Sequence, residues 1–392
     1  MDYEKILSKR VQELKPSGIR KFFDIAANMK DVISLSIGEP DFKTPWAVRA
    51  AAIETLEKGR TTYTANSGLA ALRVEITRYM ERKFGLSYHP EDETLVTVGG
   101  SEAIDLCIRA FVEPGDEVLV VEPCFVAYAP IIEMMRGVPV PVETVAEESF
   151  RLTAARLREK ITKKTKLLVL PYPNNPTGGV MRKEHLEEIA EVLRGTNIMV
   201  LSDEIYAELT YTGRHVSIAS LPGMRERTIV VNGFSKAFSM TGWRLGFACG
   251  PAPVMKQIIK IHQYAIMCAP TTSQYAAIEA LRRCEENIQS MVEEYDMRRR
   301  FIVDAFNKLG LACFEPEGAF YIFPCICSTG LTSEEFCEQL LYAKHVAVVP
   351  GSAFGSCGEG YIRVSYAYSI KHITEAVRRI AAFLAERKGG NA

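Results

Sequence analysis

Several features are missing or scarce in this chain of 392 residues. No apolar stretch reaches the roughly 18 residues of a helical membrane span, and the amino-terminal MDYEKILSKRVQELKPSGIRKFF is charged and amphipathic where an export signal would be apolar. A cytoplasmic protein is expected. No sign of charge predominates: 47 Lys and Arg against 48 Asp and Glu leave a formal net charge of −1. With the charges interspersed, no basic face offers itself to nucleic acid or an anionic membrane. The six histidines show no HxxxH and no pairing with cysteine at ligand spacing, so no protein-bound metal is expected. The ten cysteines include no CxxC and a single CxC, Cys325 and Cys327, and read as buried, reduced thiols. No repeat or low-complexity tract is present. What is there is an ordinary globular composition, 47% apolar and 24% charged. It can bury a large core in about two domains, and it points to small-molecule chemistry.

Short β-branched runs alternate with longer amphipathic stretches. TLVTVGG precedes SEAIDLCIRAF; DEVLVVEP, VPVPVET, KLLVLPYP, NIMVLSDE, RTIVVNGF and RLGFACG follow. These runs are nearly continuous in apolar character, the mark of a sheet covered by helices on both faces. An α/β domain is expected over residues 46 to 282. Next comes one long helical pattern, residues 273 to 310, ending at a glycine and able to bridge two domains. The strand candidates GAFYIFPCI, HVAVVPG and GYIRVSYA then suggest a smaller α+β domain of residues 283 to 392, joined by residues 1 to 45.

Four stretches carry chemistry. In NGFSKAFSMTGWRLG, residues 232 to 246, Lys236 follows an apolar strand in a small, glycine-containing turn. A lysine in a loop is ordinarily a solvated surface group. Arg244 alters that reading, because the turn between them can bring two cations onto one doubly anionic ligand. A phosphate that is also a carbonyl reagent meets that description. In NIMVLSDEIYAEL, Asp203 ends a strand and Tyr206 lies three residues on. Asp203 is either the cap of a following helix or the partner of a buried cation. In LPYPNNPTGGV, Asn175 is an uncharged donor in a turn dense with Pro and Gly. In VTVGGSEAIDL, a strand–glycine–helix turn exposes the amides of Gly100, Ser101 and Glu102 at a positive helix terminus. That is a phosphate cradle by geometry, although any such turn resembles one.

Together these residues resemble the class I/II aminotransferases of the aspartate aminotransferase superfamily, the fold-type I pyridoxal phosphate enzymes. IGEPDFKTP, YTANSGLAALR, NNPTG, SDEIY, SKAFSMTGWRLG and GYIRVSYA occur in the family's order and spacing over almost the whole chain. The resemblance implies a large domain with a mostly parallel seven-stranded sheet between helices, and a smaller α+β domain. It implies pyridoxal 5'-phosphate carried by Lys236 as a Schiff base, with Asp203 on the ring nitrogen and Tyr206 and Asn175 on the phenolic oxygen. Arg244, Ser235 and the amides near Ser101 would bind phosphate. Phe125 would stack on the ring. Tyr63 would reach the phosphate of a neighbouring subunit, so the active sites would be completed across a homodimer. Arg363 would grip the substrate α-carboxylate, for which a bidentate fork suits better than a lysine, and Gly38 and Asn175 would also face the substrate.

Two positions depart from the family pattern. Gly233 stands where many relatives have a phosphate-binding serine, and Ser101 stands where some aspartate-using relatives carry a lysine. The chain is most similar to the prokaryotic subgroup of aromatic and N-acetyl-diaminopimelate aminotransferases. The implied activity is transfer of an α-amino group to a 2-oxo acid by a ping-pong cycle, with an aromatic or broad-range donor and 2-oxoglutarate as acceptor. The alternatives are N-acetyl-diaminopimelate or aspartate as donor, and a β-lyase reaction on the same scaffold. A regulatory domain of this fold would need a DNA-binding segment, for which the chain has no basic region.

Overall fold

The computed structural model describes residues 1–14, 18 and 29–389. Among them are β1 (Ile33–Ser34), β2 (Thr94–Thr97), β3 (Glu117–Glu122), β4 (Val138–Glu143), β5 (Thr165–Pro171), β6 (Met199–Asp203), β7 (Thr228–Gly233), β8 (Gly246–Cys249), β9 (Tyr321–Ile322), β10 (Val346–Ala347), β11 (Val349–Pro350) and β12 (Ile362–Ser365). Each of the seven central runs forms a strand of one sheet, in the order β2-β8-β7-β6-β5-β3-β4. Only β8 runs against its neighbours β2 and β7.

The continuous apolar character of these strands has a direct cause. Val118 and Val120 of β3 pack with Ala103, Ile104 and Cys107 of the helix Gly99–Phe111. The alternate residues Leu119 and Val121 pack on the other face with Leu186, Ile189 and Leu193 of the helix Lys183–Leu193. Both sides of the pleat are covered, so both must be apolar. Because β5, β6 and β7 are parallel, their carboxyl ends share one edge, where the loops bearing Asn175, Tyr206 and Lys236 emerge. Strand β2 points the same way and delivers the Gly99–Phe111 helix to that edge.

The remaining strands form a three-stranded antiparallel sheet, β11-β12-β9, and a parallel pair of β1 with β10. Their core draws Ile302 and Phe306, Phe336 and Leu340, and Ile373 and Ile380 from three helices, together with Leu35. The single long helix expected over 273 to 310 is instead two, Thr271–Arg283 and Glu285–Lys308, parted at Cys284. The first packs in the core of the Ala70–Phe84 helix and the second turns into the carboxyl-terminal core. One straight rod cannot serve both. No helix of the described residues is long and apolar enough to cross a membrane. All ten cysteines are free; five are buried, but Cys327 is exposed, against expectation, because it lies in the surface turn after β9.

Candidate active site

A cavity of about 900 Å³ opens at the carboxyl edge of the large sheet, and its walls include Gly38, Gly100, Ser101, Phe125, Asn175 and Asp203, with Tyr206, Ser235, Lys236, Arg244 and Arg363 completing the set. Eleven of the thirteen residues singled out from sequence therefore converge on one space.

Lys236 leaves the turn after β7 part-buried, and its Nζ donates to the Gly38 carbonyl at 2.6 Å. No carboxylate among the described residues pairs with it. Burial of the amine, helped by the Arg363 charge, lowers its pKa to about 8. Asp203 is 7% exposed at the end of β6. Burial raises its pKa, opposed by hydrogen bonds from the Tyr128 hydroxyl at 2.7 Å and the Ile205 amide at 3.2 Å. Burial also raises the pKa of Tyr206, whose hydroxyl lies 2.8 Å from that of Tyr321.

Arg363 lies on β12 and is 3% exposed. Its Nη1 donates to Asn175 Oδ1 at 2.9 Å and its Nη2 to the Ser36 carbonyl at 2.5 Å, while Nε has no partner among the described residues. Its guanidinium lies 4.5 Å from the Tyr321 ring centre and 4.8 Å from that of Phe354. No carboxylate among the described residues neutralises it, and burial lowers its pKa. A buried guanidinium held by carbonyl oxygens and ring faces keeps its fork for an anion from outside.

At the cavity's other end, Gly99 has φ +75°, and a side chain there would meet Arg244 Nη2 at 2.8 Å, so only glycine lets the cradle approach the guanidinium. Arg244 itself is exposed and donates to the Thr241 carbonyl at 3.0 Å. Gly233, the departure from the family pattern, backs onto Gly246, whose Cα a Cβ at residue 233 would approach to 2.9 Å.

Two of the sequence candidates lie elsewhere. Glu102 has its carboxylate turned away: it accepts from the Val98 amide at 2.5 Å and from His262 Nδ1 at 2.6 Å, bracing the cradle from behind. Tyr63 is 80% exposed and lines no part of the cavity. Sequence reasoning missed Tyr128 and Tyr321. Both are buried phenols in apolar runs, and a buried hydroxyl usually finds a partner; that was the available signal, but sequence alone could not say which partner.

This geometry can be set beside known proteins. The family model described as aminotransferase class I and II matches residues 30–380. The chain belongs to this family. An aspartate aminotransferase of Pyrococcus abyssi is 47% identical over 385 residues, 97% of this chain and 99% of its own length. An aromatic-amino-acid aminotransferase of Thermococcus litoralis is 44% identical over 385 residues, 97% and 99% of the two chains. The solved aspartate aminotransferase of Thermus thermophilus with maleate superposes with a TM-score of 0.92 at 39% identity, covering 96% of this chain and 99% of that one. The expected class of pyridoxal-phosphate-dependent aminotransferase and its α/β fold thus hold for this aminotransferase. The first two relatives carry different substrate names at nearly equal identity, so likeness decides the reaction type and leaves the donor open.

Proposed function

We propose that this aminotransferase moves the α-amino group of an aromatic or broad range of amino acids to 2-oxoglutarate by a ping-pong cycle. The observation that carries the reading is the pair of cations in one cavity, Lys236 and Arg363, neither neutralised by a carboxylate among the described residues. One is poised as a neutral nucleophile and the other as an anion receptor.

Pyridoxal phosphate fits the residues present. The Gly99–Ser101 cradle and Arg244, with Ser235, suit its phosphate. Asp203, buried with no cationic side chain among the described residues bonded to it, suits a protonated ring nitrogen. Tyr206 and the amide of Asn175 suit the phenolic oxygen, and Phe125 the ring face. When bound, the cofactor supplies an electron-withdrawing ring that acidifies the substrate Cα–H. Arg363 then holds the α-carboxylate with Asn175 keeping its fork in plane, and Gly38 lets the substrate approach closely. Lys236 Nζ, neutral above pH about 8, takes the Cα proton and returns one during transfer, as a tuned general base.

The aromatic or broad donor preference is supported by Ile37, Ile104, Phe125 and Val126 in the wall, where Lys236, Arg244 and Arg363 are the only lysines or arginines among the described residues. A homodimer is supported by the exposure of Tyr63 at 80% and Tyr264 at 89%, on segments tied together by the Asn66 bond to the Met267 carbonyl. We further infer large (46–282) and small (1–45 and 283–392) domains, supported by β1 pairing with β10, and a reducing, cytoplasmic setting suited to ten free thiols. Initial rates with a donor panel and 2-oxoglutarate test the activity. Parallel double-reciprocal lines with one amino acid formed per 2-oxo acid released are expected; continued release of a 2-oxo acid together with ammonia, far beyond one per active site and with no acceptor present, would establish the lyase reading in its place.

A further inference from the structure

Tyr321 stands where the two ends of the cavity meet. It lies on β9, is 1% exposed, and contributes to the wall. Its ring faces the Arg363 guanidinium at 4.5 Å, and its hydroxyl lies 2.8 Å from that of Tyr206. The same hydroxyl closes on Gly38, where any side chain would collide with it. One residue thus touches the group that receives a carboxylate, the backbone that receives Lys236, and the phenol beside Asp203.

These contacts do separable things. The two hydrogen bonds of Arg363, to Asn175 and Ser36, fix one edge of the guanidinium. They leave its tilt about that edge to the aromatic faces, because no group among the described residues holds Nε. The hydroxyl pair of Tyr321 and Tyr206 is buried, so neither phenol can turn to water, and each sets the direction of the other's O–H. Tyr172, a buried tyrosine of the large-sheet core, instead donates its hydroxyl to the Phe150 carbonyl.

We propose that Tyr321 is a positioning residue coupling the two ends of the site: its ring sets the plane of Arg363, and its hydroxyl sets that of Tyr206. The inference rests on the aminotransferase reading for what Arg363 and Tyr206 do. The test uses the cofactor-loaded protein with two readouts, kcat for amino transfer and the calorimetric Kd for a 2-oxo acid, a binding event without turnover. Tyr321→Phe keeps the ring and loses the hydroxyl, so kcat should fall about fivefold, the weight of one neutral hydrogen bond, with Kd unmoved. In a Tyr206→Phe background the same change should do nothing further. Tyr321→Leu should also weaken 2-oxo acid binding about tenfold through loss of the ring face. Should the Leu variant melt at assay temperature, Tyr321→Met, whose longer unbranched chain adapts better to the slot the ring leaves, replaces it. Multiplying effects of Tyr321→Phe and Tyr206→Phe, or wild-type 2-oxo acid affinity without the ring, would overturn the proposal. Failure of the underlying reading looks different: Arg363→Ala would then bind the 2-oxo acid as the parent does.

Discussion

Two sets of cations in this molecule share burial and differ in company. On the helix Glu285–Lys308, Arg298 and Arg299 are 6% and 5% exposed, and each is neutralised twice: Arg298 by Asp41 and Glu294, Arg299 by Asp296 and Glu315. In the cavity, Arg363 is as deeply buried and Lys236 part-buried, yet each is held by uncharged oxygens. A fold that neutralises one set and leaves the other has built the second for a charge it does not itself contain. Burial alone would not separate a structural cation from a functional one, nor would the partner alone, since Arg73 is buried on the Gly68, Pro90 and Glu91 carbonyls away from the cavity; the partner and a place in the cavity wall together do.

Substitutions can break that contrast. Lys236→Ala should abolish amino transfer, a loss of at least about a thousandfold, because it removes both attachment point and proton carrier. Circular dichroism should show the fold intact, and residual activity near the parent's would end the assignment. Arg363→Ala should lower kcat/KM about a hundredfold or more, chiefly through a raised KM, with little loss of Tm. Arg299→Ala is the counter-test: activity largely kept, but stability lower by roughly 1–3 kcal/mol in denaturant titration, discounted because Glu315 is well exposed. If the two arginine variants behaved alike, the contrast would fail.

Titration sharpens it further. The pKa of Lys236, lowered to about 8, means that the folded state disfavours its charge. The resulting stability cost is absent above the ordinary lysine value, grows as pH falls, and is complete below about pH 8. Amine-directed labelling of cofactor-free protein, mapped by mass spectrometry, should therefore reach half its maximal rate at Lys236 near pH 8, while surface lysines need a higher pH. A Lys236 profile matching theirs would contradict the burial argument. The smallest effect belongs to Tyr128→Phe. Losing the 2.7 Å bond to Asp203 should raise the carboxyl pKa further and lower kcat several-fold, by about the weight of a charge-assisted bond to a group that stays ionised.

Much of the site was legible because it is written in short local units. A strand end followed by a turn places one side chain at a sheet edge, and parallel strands bring several such ends together, so Asp203, Tyr206, Asn175 and Lys236 could be read from runs of a dozen residues. Glu102 was singled out for its backbone amide; its carboxylate bends back to Val98 and lines no part of the cavity. Tyr63 lies 80% exposed, outside the cavity of a single chain, and sequence gave it a role only through resemblance.

The sequence by itself determined the sheet, through apolar runs that only a doubly covered strand tolerates, and the chemical kind of the site, through residue types that few other reactions need together. The tertiary structure alone decided which charges stay unpaired. Arg299 has Asp296 one helical turn before it, but the strand that carries Arg363 does not by itself say that no carboxylate among the described residues will meet it. The meeting of Tyr321 with Arg363 and Tyr206, and of Tyr128 with Asp203, spans 42, 115 and 75 positions of chain. Contacts at such separation are set by how the sheets and helices pack, and a pattern confined to one strand or turn holds no record of them.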